Sequence, residues 1–166
     1  MNKLFIGIDN GTTGTVAFIY DEGPSFFIET PIKIEQSYTK TKQIISRIDY
    51  IPFYEYLLTR SAGCQVIHAL IERPGINPTR WKTSMSAMRA LEATLIAVEC
   101  LNFPHSYIDS KEWQKALLPA GLEKEELKKA SVDIGCRLFP QHKELIIKHK
   151  DADGLLIAEY CRRKFG

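Results

Sequence analysis

Four carboxylates stand where apolar runs begin or end. Asp9 follows the run LFIGI and opens the segment DNGTTGT. Glu72 follows VIHALI, and Asp151 and Asp153 stand at the head of DADGLLIAEY, whose apolar spacing predicts a helix. If the strands ending at Asp9 and Glu72 are parallel neighbours, the two acids meet at one sheet edge. The N-terminus of the last helix would then join them. Carboxylates a few ångströms apart repel unless they are protonated or bound to cations. A cluster of hard oxygens suits Mg²⁺ or Mn²⁺. Two such ions about 4 Å apart can activate a water and stabilise the leaving oxygen in phosphodiester cleavage. Each acid taken singly also has a structural reading: Asp9 as a turn residue, Glu72 as the surface end of a strand, Asp151 as a helix cap. Asp153 is the least structural, because Asp151 already supplies a cap. Matched positions at several element ends favour a site.

The segment after Glu72, RPGINPTRWKTS, places Arg73, Arg80 and Lys82 around Trp81. Basic side chains can hold phosphates, and an exposed indole can stack on unpaired bases. A tryptophan packed on the core is the competing reading. Arg89, Lys111, Lys115, Lys148 and Lys150 could extend a basic surface or be ordinary solvated residues. Trp113 lies at helical spacing with Ala116 and Leu117, which suits packing. Met85, Met88, Leu91, Leu95 and Val98 form an apolar stripe that suits core packing.

The elements that must position these residues read as an α/β fold. Residues 1–8, 15–20 and 25–30 are β-rich and separated by turns, a three-stranded antiparallel meander. Residues 44–59 have apolar positions at helical spacing, with Pro52 marking a kink or a start. Residues 65–71 form a run apolar on both faces, as a central parallel strand requires. A helix over 84–101, a strand over 105–108 and helices over 111–117, 125–139 and 151–163 complete the chain. Asp109 or Ser110 would cap the helix at 111–117. A meander followed by strands alternating with helices predicts a mixed sheet with helices on both faces.

Bulk composition excludes several classes. The 166 residues are 45% hydrophobic and 25% charged with a net charge of +2, which is ordinary for one globular domain. No apolar stretch approaches the roughly 20 residues of a membrane span. The N-terminus lacks signal-peptide anatomy, so a cytoplasmic protein is expected. Cys64, Cys100, Cys136 and Cys161 are far apart and form no CxxC, which argues for reduced thiols over a zinc site or disulfide scaffold.

GIDNGTTGTVAFI, ALIERP, YIDSKEWQKAL and DADGLLIAEYCRR, in that order and spread over nearly the whole chain, resemble the RuvC family of Holliday junction resolvases in the ribonuclease H-like superfamily. The last two segments look most like its phage-borne branch. The resemblance implies one nuclease domain over residues 1–166, with a five-stranded mixed sheet of meander plus parallel strands. It implies a Mg²⁺-dependent endonuclease, with Mn²⁺ as a substitute and two ions per site, acting as a homodimer on four-way DNA junctions. By the same resemblance the stripe from Met85 to Val98 would be a dimer surface in place of core. For a phage enzyme the location would be the cytoplasm of a bacterial host. Asp9, Glu72 and Asp153 would be metal ligands, and Trp81 would be the aromatic wedge at the junction centre. The family's fourth acid, three residues before the last, is here Lys150, which cannot coordinate a cation while protonated. That leaves Asp151 and His149, of which Asp151 is preferred because Mg²⁺ favours oxygen. A glycine-threonine loop also opens sugar kinases and actin-like ATPases, but those need two domains, and no second phosphate loop is present. No nucleotide cofactor is therefore expected. Another nuclease of the superfamily, for forks, flaps or RNA–DNA hybrids, and a noncatalytic junction-binding protein remain as alternatives.

Overall fold

The first strand, β1 (Asn2–Ile8), buries side chains on both of its faces, as a strand covered from above and below must. In this computed structural model, which describes residues 1–166, it is the centre of a five-stranded sheet. It pairs antiparallel with β2 (Thr15–Tyr20), which pairs antiparallel with β3 (Phe26–Glu29). On its other side it pairs parallel with β6 (Cys64–Glu72), and β6 pairs parallel with β7 (His105–Ile108). The order is β3-β2-β1-β6-β7, the meander plus parallel strands that the sequence predicts.

Alternation along β1 divides the core into two. Leu4, Ile6 and Ile8 join Val16, Phe18, Ala69 and Ile71 under the helices α1 (Tyr50–Ser61) and α2 (Trp81–Cys100). Phe5 points the other way, to Leu70, Trp113 and the apolar side of α6 (Asp153–Phe165). That second layer also takes Trp113 from α3 (Ser110–Leu117), the flank of α4 (Lys124–Leu138), and Ile146 from α5 (Lys143–His149). Each large side chain buried in these layers contributes about 1.5–3 kcal/mol relative to exposure.

One close approach fixes α6 on the sheet. A Cβ placed on Gly7 would lie 2.2 Å from the Ala158 nitrogen and 2.3 Å from the Gly154 carbonyl oxygen. The α6 backbone thus rests directly on β1, one turn from the carboxylates at its N-terminus.

The structure departs from the sequence reading between residues 31 and 61. Residues 44–59 are not one helix. Ile44–Ile48 is a strand, β5, paired antiparallel with the unpredicted β4 (Ile32–Gln36) in a separate two-stranded sheet. The β-branched IISRI favours a strand, and Arg47 pairs with Glu35 across it. Helix α1 begins at Tyr50, so Pro52 falls in the first turn, where its missing N–H costs nothing. The short α5 was also unpredicted, and the last helix begins at Asp153, two residues later than expected.

Candidate metal centre

Strand register brings the first two acids to one edge. Ile8 pairs with Ile71 in the parallel β1–β6 ladder, so Asp9 and Glu72 leave the sheet side by side. Asp9 opens a tight turn in which its N–H donates to the Thr15 carbonyl (3.0 Å). A Cβ on Gly14 would sit 1.9 Å from the Asp9 carbonyl oxygen, so this turn needs glycine there. Asn10 ties the turn to α2: its amide donates to the Ala87 carbonyl (3.5 Å) and its oxygen accepts from Thr94 Oγ1 (3.1 Å).

The N-terminus of α6 is fastened to the same place. Its N-cap, Ala152, has no capping side chain, so other residues satisfy the first free N–H groups. The Asp153 N–H donates to Asp151 Oδ1 (2.6 Å), and the Gly154 N–H donates to Oγ1 of the buried Thr15 (3.1 Å). Ser131 on α4 donates to Asp153 Oδ1 (2.5 Å). Lys150 closes α5 in the left-handed conformation, with φ of 57°, and so reverses the chain into Asp151. The positive end of the α6 dipole faces these acids and favours their charge.

Asp9, Asp151 and Asp153 each offer an oxygen, all within 4.8 Å of one another. Burial raises the Asp9 carboxyl well above the usual carboxylate range, and the charges of Asp151, Asp153 and Glu72 raise it further. Asp153 is pushed up to about 7, by burial first and Asp151 second, against the opposing pull of Ser131 and Lys128. Asp151 is also raised by burial, tempered by the Asp153 N–H, His149 and Lys128. Three half-buried, mutually repelling carboxylates are the donor set that a hard divalent ion would complete. The residues present fit such an ion.

Glu72 stands outside that set of three. Its carboxyl is raised by burial, opposed by a hydrogen bond from the Trp113 indole N–H to Oε2 (2.9 Å). The fully buried Trp113 is therefore a packing residue and also the group that orients Glu72. Its spacing gave only the first role; the second needs the cross-chain distance. Ser131 and Lys128 are further contributors that no sequence pattern marked. His149, the other candidate for a fourth ligand, lines the same cleft as Asp151 and Asp153 but is not part of the converging set. Its Nδ1 faces the Glu29 carboxylate and its ring meets Phe27 edge-on.

A cleft of about 810 Å³ opens beside Asp151 and Asp153, and Lys128, Lys129 and Lys150 line it. Arg73 is exposed next to Glu72, paired with Asp109 (3.5 Å) and lying over the Tyr107 ring. Arg80, Trp81 and Lys82 are exposed at the start of α2, with the Trp81 side chain out of the core. Arg89 is half-buried further along that helix. No helix is long and apolar enough to cross a membrane.

No protein-family model matches the sequence, and no curated protein matches it. Solved structures do resemble it over nearly the whole length. Thermus thermophilus RuvC in complex with a Holliday junction substrate is 17% identical with a TM-score of 0.57, over 99% of this chain and 97% of that one. A second Thermus thermophilus RuvC structure is 18% identical with a TM-score of 0.52, over 99% and 98% of the two chains. The chain therefore has the fold of RuvC, a ribonuclease H-type mixed sheet with helices on both faces.

Proposed function

We propose that this protein is a structure-selective endonuclease that cuts four-way DNA junctions and related branched DNA by divalent-metal-dependent hydrolysis. The observation behind this reading is the convergence of Asp9, Asp151 and Asp153 at the end of the central strands, on a fold shared with a protein solved on a Holliday junction. Asp9, Asp153 and Asp151 would hold Mg²⁺ or Mn²⁺, with Glu72 joining them from the orientation that Trp113 gives it. Bound cations there would offset charge on the phosphate and the leaving 3′ oxygen and make water more acidic. The chain's own groups do the rest. Ser131 and the Asp153 N–H fix the carboxylate rotamers. Lys128, Lys129 and Lys150 bind phosphates in the cleft, and Arg73, Arg80, Lys82 and Arg89 extend that basic surface. Trp81 stacks at the junction centre. A homodimer would supply one site to each of two strands.

The test is cleavage of four-way junction, fork, RNA–DNA hybrid and linear duplex, with Mg²⁺ and with EDTA. Preferential Mg²⁺-dependent cutting of the junction is expected. Asp9→Asn and Asp153→Asn should bind the junction and leave it intact. Cutting by both variants at the wild-type rate would sink the proposal.

A further inference from the structure

Of the four clustered acids, Asp9 alone has no hydrogen bond at its carboxylate. Ser131 donates to Asp153, the Trp113 indole to Glu72, and the Asp153 N–H to Asp151. The Asp9 carboxyl feels only burial and the charges of its neighbours. A carboxylate among like charges is pushed out of the cluster unless something fixes it there. The next residue supplies that constraint. Asn10 is half-buried, and both ends of its side-chain amide are bound to α2. Nδ2 donates to the Ala87 carbonyl (3.5 Å), and Oδ1 accepts from Thr94 Oγ1 (3.1 Å). The amide can sit only this way round, because a carbonyl accepts and never donates. Ala87 and Thr94 lie about two turns apart on one side of the helix, so a single side chain fixes both the height and the rotation of the loop against α2. Thr94 is 1% exposed. A buried helical threonine can return its hydroxyl to the carbonyl four residues back. This one donates instead to a loop at the far end of the chain. Burial of the helix does not call for the pair, since α2 packs on the sheet through Ala90, Leu91, Ala97 and Val98.

We propose that Asn10, held by Thr94, is the positioning residue for Asp9: it sets the place of that carboxylate relative to α2 and thereby completes the metal centre. The inference rests on the reading of the acids as metal ligands and deepens it. The helix that carries Trp81 at its start also carries the reference point for Asp9.

The experiment is calorimetric titration of the metal-free protein with Mn²⁺, beside junction binding in EDTA and single-turnover cutting in Mg²⁺. Asn10→Ala and Thr94→Val should each weaken Mn²⁺ binding about tenfold, the ordinary effect of removing a group that orients a ligand. Thr94→Val keeps the shape of the side chain and loses the hydroxyl. Thr94→Ser keeps the hydroxyl and should keep wild-type Mn²⁺ affinity. The double variant should bind Mn²⁺ no worse than Asn10→Ala, because both changes break one link. Junction affinity in EDTA should be unchanged throughout, with the loss in cutting confined to the rate at saturating junction. Thermal melts accompany each variant; if Asn10→Ala folds poorly, the Thr94→Val and Thr94→Ser pair decides. Wild-type Mn²⁺ affinity in Thr94→Val, whatever its melting temperature, would overturn the proposal, since the pair would then serve packing alone. So would loss of junction affinity in Asn10→Ala with Mn²⁺ binding intact, which would make Asn10 a DNA contact. A wild type that binds Mn²⁺ and cuts no branched DNA removes the nuclease reading and leaves the Asn10 result standing. A wild type that binds no Mn²⁺ removes both.

Discussion

Asp153 is the residue on which stability and metal binding pull in opposite directions. Its carboxyl rises from an ordinary 3.8 to about 7 in the fold. Folding the metal-free protein therefore takes up a proton between those values, and the ionised form is disfavoured. The resulting loss of stability is absent below about pH 4, grows as the pH rises and is complete above about pH 7. A shift of this size is worth on the order of 4 kcal/mol. Asp153→Asn removes it, so in EDTA the variant should resist urea better than the wild type near pH 8, with the difference gone near pH 4. Equal stability of the two proteins at both pH values would show that the strain is absent. Saturating Mg²⁺ should restore the wild type selectively at the higher pH, because the cation replaces the proton as the neutralising charge. Trp113 poses a related question at Glu72. Trp113→Phe keeps most of the ring volume and deletes the N–H that meets Oε2. A group that orients a ligand commonly changes metal affinity about 10- to 100-fold. Calorimetric titration with Mn²⁺ should show weakening in that range, with a loss of about 1–3 kcal/mol in stability. Unchanged Mn²⁺ affinity would leave Trp113 a packing residue only.

At the scale of elements, the centre depends on how closely α6 lies against β1. Gly7→Ala would drive a methyl into the backbone of Ala158 and Gly154, neither of which can yield as a flexible side-chain end would. The helix must lift or slide, at a cost of about 1–3 kcal/mol or more. Because Asp153 rides on that helix and Asp9 on that strand, the same shift separates their oxygens. Gly7→Ala should thus lower the melting temperature and weaken Mn²⁺ binding together, and wild-type metal affinity in a destabilised protein would break the link. The apolar run of β1 and the two-sided apolar run of β6 were legible in the sequence because burial on both faces leaves no other composition. The element ends bearing Asp9, Glu72 and Asp153 followed from them. Residues 44–59 misled because their apolar residues happen to keep helical spacing across two elements, with the break at Asp49 carrying no glycine. Strand β4 was missed because its isoleucines face solvent and give no core signal: Ile34 is 70% exposed. The separation of Glu72 from the aspartate set, and the bond from Trp113, depend on distances between remote segments, which periodicity does not encode.

The whole molecule must present two active sites if two strands are to be cut in one encounter, and α2 is where a second copy would meet it. The structure divides the stripe that the sequence left ambiguous. Leu91 and Val98 lie in the core under the sheet, whereas Met85 and Met88 face outward, followed by Ile96, with Met88 46% exposed. Met85, Met88, Glu92 and Ile96 recur at spacings of three and four, so they share one outer side of the helix, with one carboxylate between Met88 and Ile96. A two-fold interface uses the same patch on both partners, and a continuous helical stripe can satisfy that requirement with itself. Met88 would then sit near the axis, where a charge from each copy is both desolvated and opposed by its twin. Met88→Glu, which adds a carboxylate beside Glu92 in each copy, should sediment as a monomer at concentrations where the wild type is expected to dimerise. Its own fold should change by no more than about 0.5 kcal/mol, because the side chain touches solvent in the isolated chain. The monomer retains a complete set of Asp9, Asp151 and Asp153, so it should still nick, yet the junction should accumulate singly nicked in place of paired duplex products. A wild type that sediments as a monomer while cutting both strands in one binding event would remove the interface and, with it, the need for a second copy.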